Sequence, residues 1–259
     1  MGKFLCGAGP ENAYLSFMSQ NRKPLVISHR TNCAGAPENS LAGIKAGVEL
    51  GVDRIELDVQ RSRDGILVLM HDLKVNRTTN GTGKLRELDH KQIAELNLQS
   101  DKFPGEKVPF LEEVFAFVAP TQVDLLLEVK SPKHYPWIGA DVVRLITKHR
   151  MEERVEILCF DWNFLRQLKQ DYPFLITCAL SSLPFRPQSG VTFDVRGIYY
   201  RSLLFRSAIG FSLPRTGKIY AGTPTSEKAF RSLIEIGVDG IITDEPELLM
   251  GLLSAKGQE

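Results

Sequence analysis

Little in this chain points to a large charged partner. Its 32 Lys plus Arg are matched by 31 Asp plus Glu. No global field therefore draws it to nucleic acid or an anionic membrane, and any attraction to an anion is local. Long apolar runs are missing as well: no stretch reaches the ~18 consecutive apolar residues of a membrane span, and the opening Met1 to Tyr14 segment has no run of signal-peptide length. The Met-Gly start invites N-myristoylation, but that signal wants Ser or Thr where Cys6 stands. Cysteine is scarce. Cys6, Cys33, Cys159 and Cys178 lack paired spacing, and the last two lie in apolar runs as buried free thiols do. This argues against a disulfide framework and fits a reducing compartment, so the expected location is cytoplasmic. No Gly-rich phosphate loop follows a strand directly, which disfavours a doubly wound nucleotide-binding sheet. Internal repeats, low-complexity tracts and domain-separating linkers are also missing.

What is present is regular. With 43% hydrophobic residues over 259 positions, the chain can bury a large core. Apolar segments at 25–28, 54–59, 124–129, 155–160, 175–180, 197–200, 218–221 and 240–243 read as eight main strands. Helical patterns fill most gaps, at 40–50, 138–149, 164–171 and 226–236, and another at 10–20 covers one end of the core. Eight parallel strands alternating with helices predict a (β/α)₈ TIM barrel over residues 1–259 as a single domain. Arg63-Asp64-Gly65 turns the chain into a hairpin partner at 66–70. Residues 72 to about 122 break the rhythm with turn-rich segments and helical patches at 93–98 and 111–118, and read as a small inserted subdomain after the second strand.

The stretch from Val26 to Asp72 carries the chemistry. Successive strand residues face opposite ways, so Glu56 and Asp58 share one face and Ile55, Leu57 and Val59 the other. Two acids on one face repel unless something positive lies between them, and a divalent cation answers that need. Glu128 and Lys130 repeat the alternation. In a barrel these residues, with His29 and His71, gather at the C-terminal mouth. Three oxygen ligands with no nearby cysteine suit Mg²⁺ or Ca²⁺ better than zinc. With the cation, Arg30 and Lys130 leave the cluster about one positive charge, which a phosphodiester neutralises. The expected partner is thus a small-molecule phosphodiester. Arg30 and Lys130 stabilise its phosphoryl oxygens, while His29 and His71 share the acid and base work that imidazole, with an ordinary pKa of ~6.5, performs near neutral pH.

These residues lie in an ordered series: His29-Arg30, Pro37-Glu38-Asn39-Ser40, Glu56-x-Asp58-Val59-Gln60, Asp64-Gly65, His71-Asp72, Arg77-Thr78-Thr79, Phe103-Pro104-Gly105-Glu106, Glu128-x-Lys130, and Gly237 to Asp244. The series spans nearly the whole chain and resembles the glycerophosphodiester phosphodiesterase family. That resemblance implies a TIM barrel with an insertion after the second strand and hydrolysis of glycerophosphodiesters to an alcohol and sn-glycerol 3-phosphate. It also implies Glu56, Asp58 and Glu128 as metal ligands, His29 and His71 as the acid/base pair, and Arg30 and Lys130 on the phosphate. Two positions depart from the family pattern. Thr31 stands where Gly is usual, which predicts a differently shaped first loop. Gly222-Thr223-Pro224-Thr225 replaces a Trp-Thr-Val-Asn segment, so the wall expected for the glycerol lacks its ring unless a register shift brings in Tyr220.

Plainer readings compete at several positions. Pro37 to Ser40 serves as a turn with Ser40 as a helix cap, while Glu38 is a candidate to order the metal site from behind its ligands. His90, His134 and His149 read as solvated. The stretch Tyr199 to Arg206 reads as strand then helix, and leaves room for peripheral contact with lipid. The loop 181–187 is placed to select the alcohol. Alternatives to the main reading are a lysophospholipase D and, in another class, a non-catalytic phosphate-binding barrel.

Overall fold

The strands sort their side chains into two cores. In the computed structural model, which describes residues 23–135, 137–182, 193–208 and 217–255, β2 (Arg54–Arg61) sends Ile55, Leu57 and Val59 outward. Glu56 and Asp58 point inward, and all five are at most 1% exposed. Burial on both faces is the condition of a barrel strand. The other strands are β1 (Leu25–Ser28), β3 (Leu67–Leu69), β4 (Asp124–Val129), β5 (Val155–Cys159), β6 (Ile176–Ser181), β7 (Val195–Tyr199), β8 (Lys218–Gly222) and β9 (Gly240–Thr243). They run β1-β9-β8-β7-β6-β5-β4-β2, and β1 pairs with β2 to close eight parallel strands. The short β3 adds antiparallel to the overhang of β2 beyond Asp58, as the turn at Arg63 to Gly65 predicts. The fold is a (β/α)₈ barrel.

Outside the barrel, apolar strand faces meet the helices in one continuous core. Inside it, Ile27, Leu126, Leu158, Cys178, Val195, Tyr220 and Ile242 form a second. Helix starts follow local chemistry. The Ser40 hydroxyl accepts from the Gly43 amide and Gly51 closes helix Leu41–Leu50 in the left-handed region (φ 77°). Asp161 caps helix Trp162–Asp171, which therefore begins ahead of the start expected at 164. The helix expected at 93–98 instead spans His90–Ala94, because the Asp89–Gln92 capping box starts it early and Leu98 pairs with Thr79. The last helix, Pro246–Ala255, is not in the sequence reading, and Pro246 at its start is the signal that marks it. The helix predicted at 10–20, together with Cys6, lies outside the described residues.

Between β3 and helix Leu111–Val118 the chain builds a small apolar cluster of its own, from Val68, Met70, Val75, Leu85, Ile93, Leu98 and Val108. Helix Leu111–Val118 itself packs into the outer barrel core. Cys33, Cys159 and Cys178 are buried and free. Among the histidines read as solvated, His90 and His134 are exposed, whereas His149 stacks on Phe115 with ring centroids 5.5 Å apart.

The bottom of the barrel is closed by charge. Arg54, at the start of β2, ion-pairs with Glu156 and donates to the Tyr220 hydroxyl (2.8 Å), which donates to Glu156 Oε1 (3.2 Å). Tyr220 is fully buried here and does not supply an aromatic ring at the mouth: Tyr220 and Gly222 point inward one layer apart, and β8 pairs in regular register. Breaking a buried pair from one side strands the other charge. Glu156→Ala is therefore expected to lower unfolding free energy by about 3–5 kcal/mol, and Tyr220→Phe by about 1 kcal/mol, in urea titrations. Equal effects of the two substitutions contradict this account of the plug.

Candidate active site

The parallel register of β2 and β4 brings three acids together. Asp58 pairs with Glu128 and Glu56 with Leu126, so Asp58 and Glu128 lie level and Glu56 sits one layer deeper. Glu56 and Asp58 are mid-strand rather than at a strand end, because β2 continues past the mouth to meet β3. One carboxylate oxygen from each of Glu56, Asp58 and Glu128 lies within 4.8 Å of the others. Solvent does not relieve this: side-chain exposure is 2%, 0% and 12%. These acids are therefore not ordinary salt-bridging groups on a solvated strand face.

Electrostatics follow from that burial. Loss of water, then the charges of Asp58 and Glu128, push Glu56 well above the ordinary carboxylate range. Burial also raises Glu128, with Lys130 opposing and Asp58 adding to the rise. Burial alone would lower the Lys130 ammonium, but Glu128 and Asp58 outweigh it and hold it up. Lys130 Nζ lies 2.7 Å from Glu128 Oε1 and 3.4 Å from Asp58 Oδ1. Glu56 Oε1 and Asp58 Oδ1 are buried with no hydrogen-bond partner, which is costly unless another group takes them up. A hard divalent cation fits this all-oxygen set.

The loop after β1 is shaped around the acids. Arg30 and Thr31 both adopt positive φ (49° and 63°), a region that bulky and β-branched residues avoid. The conformation is held because Arg30 N–H donates to Glu56 Oε2 (2.9 Å) and Thr31 Oγ1 accepts from the Ser40 amide (3.2 Å). Thr31 thus holds a left-handed backbone conformation that glycine adopts at least cost. A Cβ at Gly43 would collide with the Thr31 carbonyl, so the absence of a side chain there makes the loop possible. Arg30 Nε lies 3.4 Å from Asp58 Oδ2. Asn39, also at positive φ (55°), donates to Asp58 Oδ2 (2.8 Å) and accepts from its amide (2.9 Å).

Each site imidazole is anchored by a carboxylate through Nδ1. His29 Nδ1 lies 2.6 Å from Asp244 Oδ1 and its Nε2 4.0 Å from Glu56 Oε2. His71 Nδ1 lies 2.6 Å from Asp72 Oδ1. The backbone carrying His71 is fixed from below by buried Gln60, whose amide donates to the carbonyls of Met70 and Asp72 (2.7 Å each) and accepts from Tyr135 Oη (2.6 Å). Asp244, Asn39 and Gln60 are residues that the sequence reading quotes within motifs without assigning them work. The 215 residues between His29 and Asp244 explain why spacing gives no hint of that pair. Glu38, a candidate to order the site from behind the ligands, pairs with Arg77 and lies 3.9 Å from Arg30.

His29, Arg30, Glu56, His71, Glu128 and Lys130 line a cavity of ≈ 300 Å³. Leu158, Leu180, Ile198, Ile242, Phe160 and Tyr199 also line it, with Gly222 and Thr223 where an aromatic was expected in its wall. Ser181 and Ser182 also face the cavity, as expected of the first part of that loop; residues 183–187 lie outside the described set. Among the described residues no helix is long and apolar enough to cross a membrane.

Comparison with known proteins agrees with the geometry. Residues 29–248 match the model of the glycerophosphoryl diester phosphodiesterase family. The chain is 34% identical over 244 residues to the glycerophosphodiester phosphodiesterase of Caldanaerobacter subterraneus subsp. tengcongensis, covering 91% of this chain and 100% of that one. Among solved structures, the glycerophosphodiester phosphodiesterase of Agrobacterium tumefaciens is similar with a TM-score of 0.75 at 25% identity, over 88% of this chain and 99% of that one. A phosphodiesterase of Oleispira antarctica in complex with the product sn-glycerol-3-phosphate shares the fold with a TM-score of 0.77 at 23% identity, over 89% and 97%. A closed barrel whose mouth gathers three buried acids, two carboxylate-anchored histidines, an arginine and a lysine, matched by a family model from the first of those histidines onward, leaves one conclusion: the chain belongs to the glycerophosphoryl diester phosphodiesterase family.

Proposed function

We propose that this hydrolase uses a divalent cation, Mg²⁺ or Ca²⁺, held by Glu56, Asp58 and Glu128, and the imidazoles of His29 and His71, to cleave glycerophosphodiesters to an alcohol and sn-glycerol 3-phosphate. The observation that carries this reading is the pair of buried oxygens without a hydrogen bond, Glu56 Oε1 and Asp58 Oδ1, within reach of a third acid. A bound cation would supply Lewis-acid polarisation of a phosphoryl oxygen. Arg30 and Lys130 bind the remaining phosphoryl oxygens and offset charge that grows on them. With each Nδ1 tied to a carboxylate, Nε2 of His29 and of His71 is the proton-handling atom: one takes a proton from the nucleophile, the other gives one to the departing alkoxide. Glu38 acts behind Arg30 rather than on the metal ligands. A non-catalytic phosphate-binding barrel has no use for two such anchored imidazoles.

The apolar wall favours a second reading of the substrate. Phe160 and Tyr199 are 57% and 43% exposed at the mouth, beside Leu158, Leu180 and Ile198, a surface suited to hydrocarbon. Activity as a lysophospholipase D, with peripheral contact to lipid, follows if that wall takes an acyl chain. Hydrolysis rates on glycerophosphocholine and lysophosphatidylcholine separate the two readings.

For the main reading, chelation is expected to abolish release of sn-glycerol 3-phosphate and added Mg²⁺ or Ca²⁺ to restore it. His29→Ala and His71→Ala should each lower kcat by about 10²–10⁴-fold. Activity that survives chelation and both substitutions overturns the mechanism. Stability gives an independent check. In the metal-free chain Glu56 and Glu128 retain protons when folded that they release when unfolded, because burial raises both. Stability therefore falls as pH rises from their ordinary value of 4.5 through the raised ones. A bound cation requires the ionised acids and reverses that trend. At one fixed cation concentration, the thermal stabilisation given by the cation over chelator, ~2.7 kcal/mol where that concentration is a hundredfold excess over Kd, is expected to be larger near pH 8 than near pH 5. An equal gain at both contradicts the assignment of these ligands.

A further inference from the structure

Arg77-Thr78-Thr79, in the insertion, is a motif to which this chemistry gives no role. Its geometry is built rather than incidental. Thr79 is buried and its hydroxyl donates to the Val75 carbonyl (2.7 Å) and accepts from the Gly81 amide (3.0 Å). Thr78 Oγ1 lies 3.3 Å from Met70 Sδ. The turn is thereby locked, and Arg77 reaches out of it toward the mouth. Its guanidinium meets two carboxylates along two edges. Nε and Nη2 donate to Asp72 (2.7 and 3.1 Å), while Nη1 and Nη2 donate to Glu38 (2.9 and 2.6 Å).

Both carboxylates pass on to the site. Asp72 holds His71 Nδ1 at 2.6 Å, and Glu38 Oε2 lies 3.9 Å from Arg30 Nη1, whose own Nε is 3.4 Å from Asp58. His71 follows β3 and Arg30 follows β1, so they reach the mouth on separate loops. Arg77 is the group that ties those loops together. On the reading of His71 and Arg30 given above, we infer that Arg77 is a positioning residue: its planar fork, shared between Asp72 and Glu38, fixes the imidazole and the phosphate-binding guanidinium relative to each other.

Two considerations favour positioning over simple stabilisation. The Arg77 side chain is 49% exposed, and exposed ion pairs contribute little to stability. Shape also matters: a lysine ammonium is a point charge and cannot engage two carboxylates edge-on, whereas guanidinium can. Asp72 is held well below the usual carboxylate range, first by its bonds to Arg77, against burial and with help from His71. It therefore stays an acceptor for Nδ1 throughout the working pH range.

The test is steady-state hydrolysis of glycerophosphocholine at saturating divalent cation by full-length Arg77→Ala, Arg77→Gln and Arg77→Lys, beside thermal melts and cation titrations. Groups that orient active-site side chains are typically worth 10–100-fold. The expected result is a fall of about that size in kcat for all three variants, with KM within about threefold and melting temperature nearly unchanged. Dilute guanidinium ion restores part of the activity of Arg77→Ala, where sodium chloride does not. Adding Glu38→Ala to Arg77→Ala lowers kcat little further, because the two act as one unit. Wild-type kcat in Arg77→Ala, full activity in Arg77→Lys, or losses that track melting temperature or cation affinity overturn the inference. His71→Ala, assayed alongside, separates the two levels. An inactive His71→Ala with an unaffected Arg77→Ala sinks the Arg77 inference alone, whereas an active His71→Ala removes the reading on which it rests.

Discussion

Three carboxylates held where water cannot screen them are the constraint around which this molecule is arranged. Glu56, Asp58 and Glu128 reach within 4.8 Å of one another because β2 and β4 are parallel neighbours in a register that levels Asp58 with Glu128. A slip by one residue would send these acids outward and Leu57 or Val59 inward. Hydrophobic alternation therefore fixes the register, and the register fixes the acids. The unfavourable energy is partly offset by Lys130, Arg30, Asn39 and the Arg30 amide, yet two oxygens remain without a hydrogen bond. Such a cluster could hold a cation, which would take up the oxygens left without a hydrogen bond.

A second layer, made by loops rather than strands, aims the remaining groups. His29 leans on Asp244, His71 on Asp72, and the backbone of His71 on Gln60. These supports come from both ends of the chain, so the site exists only once the barrel closes through β1, β9 and β2. Positive φ at Arg30, Thr31 and Asn39 belongs to the same economy of placement: local strain is tolerated where the surrounding hydrogen bonds over-determine it.

Much of this is legible in the sequence, for reasons that vary by residue. The period-two pattern places Glu56 with Asp58 and Glu128 with Lys130 before any fold is known, and the eight apolar segments announce the barrel. By the same parity, Tyr220 on β8 sits one layer below Gly222 and is no substitute for a ring at the mouth. Other features are not local. Nothing near His29 in sequence announces Asp244, and nothing near Asp58 announces the Asn39 side chain, since both contacts depend on tertiary closure. The helix at His90–Ala94 is displaced from its apolar patch because capping by Asp89 outweighs periodicity.

The cavity is lined by both charged and apolar residues. The proposed cleavage of a phosphodiester rests on the charged ones. The most direct test of the central claim is anomalous diffraction from crystals of the protein soaked with Mn²⁺, a manganese stand-in for the proposed cation. The account predicts one strong peak coordinated by oxygens of Glu56, Asp58 and Glu128, whereas a peak elsewhere, or none at these three acids, would contradict it.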